Sequence, residues 1–160
     1  IEQEQQLMNT YDAKNAYQET TVAGANPIRL VMMVYDRLLT DMQKAIESLH
    51  VGDVELRTQS IRHAMECVDH LQSNLNMQDG GEAASFLWRF YTQLRAKLLE
   101  AQMKQSENTL KEQIWLVQQV RGEWDKAERQ LLGSRELENT SVSVPVLVAD
   151  EPGSSSAWTA

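Results

Sequence analysis

The sequence predicts an all-α protein: an antiparallel up-down-up-down four-helix bundle with a short N-terminal helical segment and a disordered C-terminal tail. Three observations predict it. Apolar residues recur every three or four positions through the middle of the chain, the period of a helix with one buried face. The three prolines, Pro27, Pro145 and Pro152, all sit at the edges of that region, so 28–144 is free of the residue that breaks helices. Glycines at Gly52 and at Gly80 and Gly81 punctuate the periodic stretches where the chain has to reverse.

Residues 1–8 are an acidic, glutamine-rich leader, expected to be disordered, and the fold is placed at 9–133. Asn9 to Gln18 can form a short helix whose large apolar groups are Tyr11 and Tyr17. Asn26 followed by Pro27 pairs a capping residue with a proline at the first helical position, opening a helix over about 27–49 that stops before Gly52. Asp53 can cap a second, over about 53–77, which ends at Gln78-Asp79-Gly80-Gly81. A third covers about 82–103. The fourth is expected at about 107–132: Thr109 with Glu112 matches a capping box, Ser106 offers an earlier start, and Gly133 is the stop. Connections of only a few residues between helices this long force neighbours to run antiparallel. Residues 134–160 collect Ser, Thr, Pro, Gly and Asp without a period and read as a disordered tail, although Val144 to Val148 is apolar.

A chain of 160 residues suits one domain and can bury a core without disulfide or metal. Its 23 acidic against 15 basic residues would repel phosphate backbones and anionic lipid, which argues against nucleic acid and favours protein partners. No stretch has the roughly 18 uninterrupted apolar residues of a membrane span, so membrane insertion is not expected. The single cysteine, Cys67, lies inside a helical pattern and fits a buried thiol in a reducing, cytoplasmic setting.

Each helix has a seam. On the first it is Ile28, Val31, Tyr35, Leu38, Met42, Ala45 and Leu49; on the second Ile61, Met65, Val68 and Leu75. On the third it is drawn through Leu87, Phe90, Leu94, Leu98 and Ala101, and on the fourth through Leu110, Ile114, Val117, Trp124 and Leu131. At about 100° per residue, Leu30 and Met33 fall away from the first seam, in a run from Leu30 through Val34 to Tyr35 that is apolar all round. Trp88 and Leu99 leave the third seam and Trp115 leaves the fourth. Single exposed apolar residues are ordinary. Two tryptophans with leucines and a methionine off-face are less so, and such a patch marks a place where a terminus or a partner helix docks.

Reaction chemistry finds no comparable footing. A di-metal carboxylate bundle needs a Glu-x-x-His pair on each of two helices; of His50, His63 and His70 only His50 completes one, Glu47-Ser48-Leu49-His50, and no second helix supplies another. Gly80 and Gly81 belong to no longer phosphate-loop fingerprint, and Cys67 has no evident base. Neither an enzyme nor a cofactor is expected.

Three stretches then resemble flagellar export chaperones of the FliS family. Asn26-Pro27-Ile28-Arg29-Leu30-Val31-Met32-Met33-Val34-Tyr35-Asp36 is similar to that family's Ser-Pro-x-x-Leu, apolar pair and Tyr-Asp. Leu75-Asn76-Met77-Gln78-Asp79-Gly80-Gly81-Glu82 resembles its second turn, where Gly-Gly-Glu is the most specific element, and Phe90-Tyr91 with Leu98-Leu99-Glu100-Ala101 continues the match. Val120-Arg121-Gly122-Glu123-Trp124 resembles the end of its last helix. Arg37, Gln102 and Glu123 depart from the usual residues, at positions with no catalytic duty in the family.

The resemblance implies a cytoplasmic chaperone that holds the disordered C-terminal segment of flagellin, prevents its premature polymerisation and delivers it to the flagellar export gate. The expected client contacts are Leu30, Met33, Val34, Trp88, Leu99 and Trp115. Tyr11 and Tyr17 stand where the family has an N-terminal segment that covers the patch or meets the gate. The other reading is a helical chaperone or adaptor for a different secreted or filament-forming client. A weak homodimer in the absence of client is a further expectation.

Overall fold

The computed structural model of the protein describes residues 10–17 and 26–141. Its elements are α1 (Thr10–Asn15), α2 (Pro27–Val51), α3 (Val54–Ser73), α4 (Gly81–Lys104) and α5 (Glu107–Ser141). The leader 1–8 and residues 142–160 of the expected tail lie outside the described residues.

Local chemistry sets most ends. The Asn26 side chain accepts from the Ile28 N–H at 3.1 Å, with Pro27 opening α2, and Gly52 closes the helix in the left-handed region at φ 72°. Asp53 Oδ1 accepts from the Leu56 N–H at 2.9 Å and starts α3. Ser106, not Thr109, caps α5: its Oγ accepts from the Thr109 N–H at 3.2 Å.

Two ends differ from expectation. α3 stops at Ser73, four residues before Met77, because Asn76 Oδ1 accepts from the N–H groups of Gln78 and Asp79 and builds a turn in place of the last helical turn. α5 runs through Gly133 to Ser141, so 134–141 is helix where a disordered tail was expected. Gly133 faces open space, with nothing within 4 Å of where a Cβ would sit, and nothing there compels a turn.

Cross-links fix the arrangement. Arg29, Asp36 and His50 of α2 meet Glu128, Arg121 and Glu107 of α5, so numbering rises on one as it falls on the other. In the same way Thr58, Asp69 and Gln72 of α3 meet Gln102, Arg95 and Trp88 of α4. The helices form a closed ring in the order α2, α3, α4, α5, and α1 sits on α4, α5 and α2.

Inside the ring Leu38, Met42, Leu87, Leu94, Leu98, Leu110, Val117 and Trp124 are fully buried. Each such side chain stabilises the fold by roughly 1.5–3 kcal/mol through area removed from water. The seam of α4 is corrected at one place: Tyr91 is fully buried and Phe90 only partly, the latter stacking on Phe86 at 6.2 Å between centroids.

Candidate functional site

Leu30, Met33 and Val34 lie on the flank of α2 that faces α3. Met33 and Val34, with Arg37 and Asp41, form one wall of an open groove of about 500 Å³. His63, Glu66, Cys67 and His70 of α3 form the other. Met33 is 62 % exposed, while Val34 rests against the core. Asp41 is buried beneath them and accepts from Arg37 Nε at 3.0 Å, which fixes the polar floor. Burial, and after it the Asp41 charge, pushes the Cys67 thiol above its ordinary pKa, so this cysteine is a neutral packing group and not a thiolate.

Trp88 and Leu99 share a different flank, that of α4 toward α3. The Trp88 carbonyl accepts from Gln72 Nε2 at 3.1 Å, Arg95 reaches Asp69 and Gln72, and Leu99 follows one turn on. Both side chains are about half exposed. Trp115 stands on the outer face of α5, roughly half a turn of the wheel from Val117, Leu110 and Trp124, and is 59 % exposed. Leu116 beside it is also exposed and was missed by the sequence reading, although its place next to Trp115 was a visible signal.

The six expected client contacts therefore occupy three strips and not one patch. α3 separates the Met33 groove from the Trp88 flank, and α5 lies across the ring from α3. A helical wheel measures angle from a helix's own seam, and by itself does not say which neighbour stands at that angle.

The N-terminal tyrosines also divide. The side chain of Tyr11 lies outside the described residues. Tyr17 is not spread over the outer strips; it is buried, its ring 5.5 Å from that of Trp124. Its hydroxyl bonds to Tyr91 Oη at 2.7 Å, and Tyr91 bonds in turn to Tyr35 Oη at 2.6 Å. Burial raises the pKa of all three phenols, so they stay neutral and form a hydroxyl chain. The backbone seals the same place: Ala16 O accepts from the Asn76 N–H at 2.8 Å, and Tyr17 pairs antiparallel with Leu75. Gly80 is required there, since a Cβ would stand 2.4 Å from Asn76 O and 3.2 Å from Ala16 Cα.

Among the described residues, no group of three His, Cys, Asp or Glu side chains could hold a metal ion, and no helix is long and apolar enough to cross a membrane. Fold and surface together define a class: a closed helical bundle with its apolar residues divided between a sealed core and open strips on three faces. The family model described as "Flagellar protein FliS" matches residues 8–131, and the chain belongs to that family. It is 26 % identical over 107 residues to the flagellar secretion chaperone FliS of Salmonella typhimurium, covering 66 % of this chain and 79 % of that one. Against the flagellar secretion chaperone FliSB of Pseudomonas aeruginosa it is 28 % identical, covering 67 % and 85 %. The FliS of Bacillus subtilis gives 25 % identity over 121 residues, 76 % and 87 % of the two chains.

Proposed function

We propose that this protein is an export chaperone that binds the disordered C-terminal segment of flagellin in the cytoplasm, keeps it from polymerising and hands it to the flagellar export gate. The observation that carries the reading is the exposure of Met33, Trp88, Leu99 and Trp115 outside a core already closed by Trp124 and Tyr91. Apolar side chains that the fold itself does not use are what an amphipathic client helix would cover. Leu30 and Val34 extend the Met33 strip, and the separation of the strips suits a client that wraps the bundle. The segment carrying Tyr11 and Tyr17 is in this reading the element met by the gate, because its docking at Leu75 and Asn76 leaves the client strips free.

The test is calorimetry and circular dichroism with a peptide of the flagellin C-terminal segment. Binding at one to one with a gain of helix beyond the sum of the separate spectra is expected, since a disordered segment orders as it fills an apolar strip. An additive spectrum with no heat of mixing would sink the proposal.

A further inference from the structure

The end of the bundle formed by the α2–α3 and α4–α5 turns carries a feature that the client strips do not use. The two turns are tied to each other, His50 Nε2 to Glu107 Oε2 at 2.9 Å and Gln102 Nε2 to Thr58 Oγ1 at 2.9 Å, so they make one surface. Val51 and Met103 on it are each 76 % exposed, and Val54 and Leu56 are exposed beside them.

Within this apolar end lies Arg57, in the first turns of α3 and only 6 % exposed. Among the described residues no side-chain hydrogen bond or ion pair reaches its guanidinium, and Nε is fully enclosed without a partner. Nη1 and Nη2 are not among its enclosed atoms. None of the acids at this end bonds to it: Asp53 caps α3, Glu107 holds His50 and Lys111, Glu100 holds Lys97 and Lys104, and Glu55 of the first turn is exposed. A buried cation without an anion is costly, and a helix N-terminus adds its own positive end to that cost. A carboxylate arriving from outside would pair with the tip bidentately, and apolar neighbours on the same segment would cover Val51, Val54 and Met103.

We propose that this end of the bundle is a second docking surface, one that takes a partner-protein segment presenting a carboxylate between apolar side chains, with Arg57 as its anchor. It does not rest on the flagellin reading. The test is a titration of the full chain with N-acetyl-Leu-Leu-Glu-Leu-Leu-amide, followed by the NMR resonance of the Arg57 Nε–H. A saturable shift is expected. The same peptide with Gln for Glu should bind about tenfold more weakly, about 1.4 kcal/mol, and Arg57→Met, which keeps the buried stem, should lose the preference for Glu. Met103→Ser should weaken both peptides. No shift, an equal response to the two peptides, or an unchanged preference in Arg57→Met would overturn the proposal. So would a shift of the resonance in the free chain on Asp150→Asn with Glu151→Gln, which would make this chain's own segment the occupant, or on dilution, which would make it a second copy.

Discussion

Tyr91 is the middle member of the buried hydroxyl chain, and its position makes the three tyrosines unequal. Tyr91→Phe removes the hydroxyl to which both Tyr17 and Tyr35 bond and should cost roughly 1–3 kcal/mol, the range for buried polar groups that lose a partner. Tyr17→Phe leaves Tyr91 still bonded to Tyr35 and should cost about 0.5–1.5 kcal/mol. Urea unfolding followed by circular dichroism measures both, and equal losses would show that the chain is not coupled. The same phenols set a pH limit. Burial raises their pKa above the ordinary 10.0, so the folded state keeps protons that the unfolded chain releases. Their contribution is therefore complete below about pH 10 and lost as pH rises through that value toward the folded one. Stability should begin to fall at about pH 9, where the half-buried Cys67 thiol ionises in the unfolded chain, and fall more steeply above about 10, with a shallower fall at the upper step in Tyr17→Phe. This cluster was only half legible in the sequence. Phe90 and Tyr91 are adjacent, and choosing the more apolar ring for the seam was the natural reading. What reversed it is tertiary: Tyr35 and Tyr17 supply partners for a hydroxyl at that place, and a polar tip with partners can be buried at little cost.

At the scale of elements, two glycines read as turn signals prove to have opposite duties. Gly80 stands where three segments meet, and Gly80→Ala must push Asn76 O, Ala84 Cβ and Ala16 Cα, all closer than 3.4 Å to the new methyl. It should destabilise the fold by roughly 1–3 kcal/mol, as overpacking does, and speed amide exchange at Asn76, whose N–H bonds to Ala16 O. Gly133 lies inside α5 with open space around it. Gly133→Ala should favour the helix by about 1 kcal/mol, slowing exchange through Gln130 to Thr140 with little effect on the core. Exchange measured by mass spectrometry on the two variants separates the cases. The caps at Asn26 and Asp53 were readable because their hydrogen bonds are local. The end of α3 was readable in principle, through Asn76, but a glycine pair four residues on was the louder signal. The length of α5 was not: its 35 residues span about 52 Å against about 37 Å for the 25 of α2, so its last turns project past the bundle, where no seam exists to mark them.

For the molecule as a whole, the division of the apolar surface into three strips turns the flagellin proposal into a statement about additivity. A short client helix lying in one groove would touch Met33 and Val34 and be indifferent to Trp115. A client that wraps the ring would touch all three strips, and the contacts would lie far enough apart to contribute independently, since substitutions at distant sites without shared partners add. Met33→Ser, Trp88→Ser and Trp115→Ser all replace exposed side chains, so each should leave the urea midpoint nearly unchanged. Each should weaken the flagellin peptide by about 1–2 kcal/mol, roughly 5- to 30-fold, as partly buried anchors do on truncation. The triple variant should lose the sum of the three. Calorimetry on the singles and the triple decides: if Trp115→Ser binds like the parent while Met33→Ser accounts for the whole loss, the client occupies the α2–α3 groove alone and the wrapped arrangement is wrong.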